Sequence, residues 1–143
     1  MIVVDSNVLL YAVGADHPVR EPSRRLVEAI RAGTLVATTT IYVIQEFTHV
    51  AARPRPRRDA VELARRYAAL FRPLLLPTED DLGIALDLFA RHERLDAFDV
   101  LLAASALGND AEALVSADTA FGSVPRLRHV IPGTPEFDRL LAA

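Results

Sequence analysis

Four acidic residues stand near the ends of predicted strands and helices, where their carboxylates could act together. Asp5 and Asp118 each follow an apolar predicted strand, and Asp99 lies in the first turn of a predicted helix. Ligands of open parallel sheets bind beyond the carboxyl ends of the strands. Glu46 interrupts the apolar pattern of another predicted helix and is expected to point into the same crevice. We therefore expect the four carboxylates to share one site.

Carboxylates held together favour a bound cation, because they repel one another and raise one another's pKa values when none is present. The sequence has no cysteine, and its four histidines show no HExxH spacing. Oxygen ligands without thiolates or paired imidazoles favour Mg²⁺ or Mn²⁺ over zinc. The residue types thus predict a hard divalent cation.

Each acid also has a purely structural interpretation, which stays open at this point. Asp5 can cap the segment that follows it, Asp99 is an acid favoured in a first helical turn, and Asp118 suits a turn. Glu46 is harder to explain in this way, since a carboxylate on an apolar helix face is rarely buried without a partner.

The elements that must position these acids alternate between strands and helices. Apolar runs bounded by turn residues predict strands over 2–4, 35–37, 74–76, 113–116 and 130–131. Periodicity and caps predict helical segments over 7–13, 19–31, 40–52, 59–71, 78–91 and 96–107, the last buried on nearly all sides. This alternation predicts an α/β fold with a mostly parallel sheet. The chain of 143 residues, 51% of them hydrophobic, fits one domain over 1–143.

Composition excludes several enzyme classes. All 16 basic residues are arginine, so a P-loop lysine and a Schiff-base lysine are both missing. The absence of cysteine removes disulfides, thiolate nucleophiles and zinc ribbons. A formal net charge of −3 means that any polyanion must bind a local basic patch.

Four motifs, in this order and spacing, resemble those of PIN-domain ribonucleases, and in particular the VapC-type toxins of bacterial toxin–antitoxin pairs. The motifs are Val4-Asp-Ser-Asn-Val-Leu-Leu10, Ile44-Gln-Glu-Phe47, Asp99-Val-Leu-Leu-Ala-Ala-Ser-Ala106 and Leu114-Val-Ser-Ala-Asp-Thr-Ala-Phe121. The resemblance covers nearly the whole chain. It implies a three-layer α/β/α PIN-like fold and a single nuclease domain over 1–143.

The resemblance assigns the acids a catalytic role. It implies a catalytic, metal-binding quartet of Asp5, Glu46, Asp99 and Asp118, in which Asp5 and Asp99 are the main metal ligands. The implied activity is that of a Mg²⁺- or Mn²⁺-dependent endoribonuclease, which hydrolyses structured RNA such as tRNA or rRNA and leaves a 5′-phosphate.

Further polar residues surround the implied quartet. Asn7 and Ser116 fall where the family places polar support for the site. Asp96 lies three residues before Asp99 and could share its helix face, and capping preference favours Asp96 as the N-cap. Thr119 stands where some relatives carry a further acid, which leaves the number of metal ions open.

Two rival functions were considered. A non-catalytic PIN-like protein that binds RNA or a partner would be expected to have lost part of the acidic quartet, and all four acids are present. A hydrolase that phosphorylates aspartate, of the haloacid dehalogenase kind, would need a second aspartate two residues after Asp5, where Asn7 stands. Both observations favour the nuclease.

An arginine-rich segment offers the local basic patch. Arg53, Arg55, Arg57 and Arg58 lie in a stretch whose two prolines cannot continue a helix, so a loop is expected. Guanidinium groups suit phosphate, which makes these four arginines candidates for RNA contact. A merely solvated charged loop is the alternative.

The resemblance also implies protein partners, namely a cognate antitoxin and a second copy of the chain in a homodimer. The apolar helix 40–52 and the proline-bracketed segments after it could supply the surface for either partner. The apolar start carries Asp5 and no basic region, and no apolar run reaches the roughly 18 residues of a membrane span. We therefore expect a cytoplasmic protein without a membrane partner.

Overall fold

Four short parallel strands form the centre of the computed structural model, which describes residues 1–143. Their order across the sheet is β2-β1-β3-β4, and every neighbouring pair is parallel. The strands are β1 (Ile2–Val4), β2 (Ala37–Thr38), β3 (Ala113–Val115) and β4 (His129–Val130). All residues of β1 and β3 are buried, as in a parallel sheet covered on both faces. The predicted α/β class is confirmed.

Seven α-helices and one 3-10 helix cover this sheet. They are α1 (Ser6–Val13), α2 (Arg20–Arg31), α3 (Ile41–Ala51), α4 (Arg57–Leu70), α5 (Glu79–Arg91), α6 (Ala97–Gly108), the 3-10 helix (Thr119–Ser123) and α7 (Pro135–Ala142). Helices α1 to α4 pack on one another, whereas α5 packs on α6, which reaches β3. The contacts thus divide these helices into two groups, α1 to α4 and α5 with α6. No helix is both long and apolar enough to span a membrane.

Most of the apolar side of α3 lies in the core, so only its first turn is left as part of the partner surface that the sequence predicts. Val43, Phe47 and Ala51 recur at intervals of four residues and are buried. The Phe47 ring packs edge to face on Tyr67 of α4, with ring centroids 5.0 Å apart. Exposed apolar side chains remain at Ile41 and Tyr42 of α3, at Leu76 between Pro73 and Pro77, and at Leu82, Leu86 and Phe89 of α5.

Several element boundaries differ from the sequence prediction for identifiable reasons. The predicted strand 74–76 is reduced to a single parallel bridge between Thr40 and Leu75, because Pro73 and Pro77 on either side lack amide donors. The strand predicted at 35–37 forms two residues later, and that predicted at 130–131 one residue earlier.

The loop in the arginine-rich segment is shorter than predicted. Helix α4 begins at Arg57, and Pro56 occupies its N-cap position, where a missing amide proton costs nothing. Arg57 and Arg58 therefore lie in the first helical turn rather than in a loop. Helix α6 is buried on most sides from Val100 to Ala106, as predicted, whereas Phe98 in its first turn is 68% exposed.

The packing of α5 on α6 predicts opposite effects on stability for alanine substitutions at two glycines. A Cβ added at Gly108 would lie 2.5 Å from Oδ1 of Asp81, whose Oδ2 accepts a hydrogen bond from the Thr78 amide in the cap of α5. A Cβ added at Gly83, within α5, meets nothing. We expect Gly108→Ala to lower the free energy of unfolding by about 1 kcal/mol through loss of the cap, and Gly83→Ala to raise it by about 0.5–1 kcal/mol. Urea denaturation of both variants measures the free energy of unfolding. Equal changes in the two variants would contradict the clash with Asp81.

Candidate active site

The site lies at the carboxyl ends of β1 and β3, where the connections that follow these strands run toward opposite edges of the sheet. The chain leaves β1 toward one edge of the sheet and leaves β3 toward the other, which makes this a topological switch point. The parallel register pairs Val4 with Val115, so Asp5 and Ser116 follow the two strands side by side. The Asp5 amide continues the ladder by donating to the Val115 carbonyl at 3.0 Å.

Asp5, Asn7 and Ser116 form a closed hydrogen-bond network across these two strand ends. Ser116 Oγ donates to Asp5 Oδ2 at 2.7 Å, and Asn7 Nδ2 donates to the same oxygen at 3.1 Å and to Ser116 Oγ at 3.0 Å. Asn7 Oδ1 accepts from the Ala117 amide at 3.1 Å. The structure thus brings both polar residues expected to support the site against the first acid.

Asp5 is held in a buried position in spite of its charge. Its Oδ1 accepts from the Ser6 amide at 2.7 Å, so the carboxylate also caps α1. Burial raises the pKa of Asp5 to about 6, against the opposing effect of the hydrogen bonds from Ser116 and Ser6. The charges of Glu46 and Asp118 raise it further. Burial is the largest cause of this shift, and repulsion from the two acids is a smaller cause that a cation would relieve.

Asp99 occupies the first turn of α6 in a reciprocal cap. Asp96 is the N-cap, as predicted, and its Oδ1 accepts from the Asp99 amide at 2.8 Å. Asp99 Oδ2 accepts from the Asp96 amide at 3.1 Å, which leaves Oδ1 without a protein donor. Burial raises the pKa of Asp99 to about 7, and the charges of Asp96, Asp5 and Asp118 add to the effect.

The other two acids approach the same place from different elements. Asp118 caps the 3-10 helix, with Oδ1 accepting from Ala120, and its own amide donates to Ser116 Oγ at 3.1 Å. Glu46 lies on the exposed side of α3 rather than on its apolar side, and lines a pocket together with Asp5 and Asp99. All four predicted acids are therefore brought together, although only Asp5 is buried.

The pocket between Asp5, Glu46 and Asp99 is small and has room for a single ion. Its volume of about 20 Å³ admits one water-sized occupant. No three acidic or histidine side chains are close enough together to hold a metal ion by themselves. Mg²⁺ is commonly bound through one or two carboxylates while it keeps several waters, so this donor set fits the expected ion.

The four arginines expected to bind RNA divide into two groups. Arg55 is committed to the fold, because its guanidinium donates to the Ala51 carbonyl at 3.2 Å and to the Val13 carbonyl at 2.8 Å. These bonds tie together the C-terminal ends of α3 and α1. Arg53, Arg57 and Arg58 are exposed.

Two aromatic residues at the site did not emerge from the sequence pattern. Tyr42 and Phe98 line the acidic pocket, and both are exposed. Phe98 lies between the cap Asp96 and the acid Asp99, in a turn that the apolar pattern predicted to be buried. The sequence pattern does not indicate that Phe98 is exposed beside two carboxylates, and only the structure shows it.

The fold and the acidic switch point define a class of parallel α/β domain with a carboxylate site at the ends of two central strands. The PIN domain family model matches residues 2–127, and the chain belongs to the PIN-domain family. It is 46% identical over 136 residues to Ribonuclease VapC7 of Mycobacterium tuberculosis, covering 92% of each chain. It is 35% identical over 133 residues to Ribonuclease VapC13 of the same species, covering 91% of this chain and 99% of that protein.

A solved structure carries the same fold. A chain of the VapBC2 crystal structure from Rickettsia felis, bound to a DNA fragment from its promoter, aligns with a TM-score of 0.73. The alignment covers 92% of this chain and 99% of that chain at 15% identity. The expected three-layer PIN-like architecture is confirmed.

The raised pKa values predict an unusual dependence of stability on pH. A folded-state pKa of about 6 for Asp5, against 3.8 in the unfolded chain, means that the folded state holds more protons between these pH values. This stabilisation is present at low pH and is lost as pH rises through about 6, at a cost on the order of 3 kcal/mol. Asp99 acts in the same direction up to pH about 7.

The measurement is thermal unfolding of chelator-treated protein from pH 4.5 to 8, compared between wild type and Asp99→Asn. The wild type should lose more stability across this range than the variant, and adding Mg²⁺ at pH 8 should restore stability to the wild type alone. Parallel pH profiles for the two proteins would refute the proposed repulsion.

Proposed function

We propose that this chain is a Mg²⁺- or Mn²⁺-dependent endoribonuclease that acts as the toxin of a toxin–antitoxin pair. The observation that carries the proposal is the pocket of ion size that Asp5 and Asp99 line together, where the charge of Asp5 raises the pKa of Asp99. The ribonuclease names of relatives that match over nine tenths of the chain support the same activity.

Each acid is assigned a part in phosphodiester hydrolysis. Asp5 and Asp99 would hold the divalent ion, while Glu46 and Asp118 would bind its water ligands. The bound ion would lower the pKa of a water and stabilise the departing oxygen of the RNA. Asn7 and Ser116 orient Asp5 by donating to its Oδ2, so they are positioning residues. The chain needs no lysine or histidine for this chemistry.

A non-catalytic PIN-like protein is the second candidate, and the network around Asp5 argues against it. The cap of α1 uses only Oδ1 of Asp5, and a buried carboxylate whose pKa is raised to about 6 is typical of functional sites. The same carboxylate is satisfied by Ser116 and Asn7 in one fixed orientation. Such preorganisation is typical of catalytic sites.

Removal of single carboxylates tests the activity. Asp5→Asn and Asp99→Asn should each reduce cleavage of a tRNA and rRNA mixture by more than about 100-fold, because even indirect partners of metal ligands are worth about 10- to 100-fold. Asp87→Asn, an exposed acid of α5, is the matched control and should cleave normally. Gel analysis with and without EDTA measures the effect; wild-type cleavage that survives EDTA would exclude the metal mechanism.

The proposal extends to two protein partners in the cytoplasm, a cognate antitoxin and a second copy of this chain. The related VapBC2 structure contains both members of such a pair by name, which supports an antitoxin. An antitoxin arginine inserted among the carboxylates would compete with the metal ion. The exposed apolar residues of α5 support a homodimer, because surfaces of this kind are usually covered by a partner.

Expression alone and with the adjacent short open reading frame tests both partners. Growth should stop with the chain alone and recover with its neighbour or with Asp5→Asn. Light scattering should give a dimer for the wild type and a monomer for the double variant Leu86→Asp, Phe89→Asp, since both side chains are exposed on α5. A harmless chain that ignores its neighbour would contradict the toxin, and an unchanged mass in the double variant would contradict the α5 interface.

A further inference from the structure

An open groove of about 920 Å³ leads away from the acidic pocket between α3 and α4. Tyr42, Glu46 and Phe98 line both the groove and the acidic pocket, so the two cavities share a mouth. The α3 side of the groove runs from Tyr42 to Arg53, which is about 16 Å at 1.5 Å per helical residue. A strand whose phosphate lies at the carboxylates can therefore continue into this groove.

The two residues at the shared mouth present aromatic rings to solvent. Phe98 is 68% exposed and Tyr42 is 48% exposed, and neither ring packs on another aromatic ring of the protein. Both residues are in the first turn of a helix whose N-cap is hydrogen-bonded, by Asp96 for α6 and by Thr40 for α3. Their backbones are thus fixed beside the acids, although their rings contribute little to the core.

Cationic residues line the groove beyond the aromatic pair. His49 and Arg53 follow Glu46 on the same side of α3 at intervals of three and four residues. Arg57 faces them from the first turn of α4. Neither arginine forms an ion pair within the chain. In a molecule of net charge −3, these two arginines give the groove a local positive charge.

We infer that Tyr42 and Phe98 stack on the bases that flank the scissile phosphate, and that Arg53 and Arg57 bind phosphates of the same RNA strand further along the groove. The inference rests on the proposed ribonuclease function and adds its recognition residues. Base stacking on exposed rings combined with a basic track is typical of single-strand binding. The rings would reach only unpaired bases, so the cleaved segment is single-stranded RNA or an unpaired loop.

Charge complementarity favours RNA over a peptide as the occupant. A peptide that neutralises the acidic pocket must be basic, and Arg53 and Arg57 would repel it along the groove. An RNA strand is attracted by the arginines and reaches the carboxylates through a bound cation. The mixed character of the cavity, acidic at one end and basic along its length, therefore matches a phosphodiester chain.

Binding measured without cleavage tests these contacts. In an Asp5→Asn background, Phe98→Ala and Tyr42→Ala should each weaken binding of a randomised single-stranded oligoribonucleotide by roughly 5- to 150-fold, the range for loss of one base stack. Phe98→Trp should retain binding, and Phe98→Leu should not, although it keeps apolar bulk. Val36→Ala, at a site of matched 69% exposure, is the control.

Arg57→Gln should weaken binding and flatten its salt dependence, with a loss of about 0.7 in the logarithmic slope for one phosphate contact. Fluorescence anisotropy on the oligoribonucleotide and on a blunt duplex RNA measures all variants, and thermal unfolding checks that they fold. The aromatic variants should leave the weaker duplex binding unchanged.

The outcomes separate this inference from the proposed function. Wild-type metal-dependent cleavage together with unaltered binding and cleavage in Phe98→Ala and Tyr42→Ala would overturn the stacking role alone. Loss of binding to the neighbouring antitoxin, with RNA binding unchanged, would assign the groove to a peptide and also overturn it. A wild type that neither binds nor cleaves RNA would overturn both.

Discussion

Mutual repulsion among carboxylates at the carboxyl edge of the sheet is the constraint on which the rest of the structure depends. Asp5 lies in a buried position where its charge is disfavoured, and Asp99 approaches it with a pKa that rises to about 7. Hydrogen bonds from Ser116 and Asn7 keep Asp5 in place, and the pairing of β1 with β3 keeps those donors in place. The fold therefore supplies the geometry, and the proposed cation would supply the balancing charge.

The three aspartates serve the fold and the site at the same time. Asp5 caps α1, Asp99 completes the cap of α6 and Asp118 caps the 3-10 helix, so the structural interpretations of these residues are confirmed. A cap uses one carboxylate oxygen and fixes the direction of the other. In Asp99 this leaves Oδ1 without a hydrogen-bond donor from the protein. Capping is thus compatible with the proposed metal binding.

Much of the fold and the acid positions could be predicted because the signals are local. An apolar run that stops at an acid marks the ends of β1 and β3, and side-chain capping preference identified Asp96 correctly. Features that depend on contacts distant in sequence were not predictable. In the sequence, Arg55 does not differ from the three other arginines of its segment. In the structure its guanidinium donates hydrogen bonds to carbonyls at the C-terminal ends of two helices. Tyr42 and Phe98 line the same pocket because α3 and α6 lie side by side there, and no spacing pattern in the sequence predicts this placement.

Anomalous diffraction from crystals soaked in Mn²⁺ tests the cation requirement most directly, because it locates the ion relative to individual oxygens. A single strong peak within coordinating distance of Asp5 and of Oδ1 of Asp99, with Glu46 and Asp118 reaching it directly or through water, is the expected result. The peak should disappear in crystals of Asp99→Asn grown and soaked in the same way. Absence of a peak between Asp5 and Asp99 at saturating Mn²⁺, in crystals of protein that cleaves RNA, would contradict the carboxylate metal site.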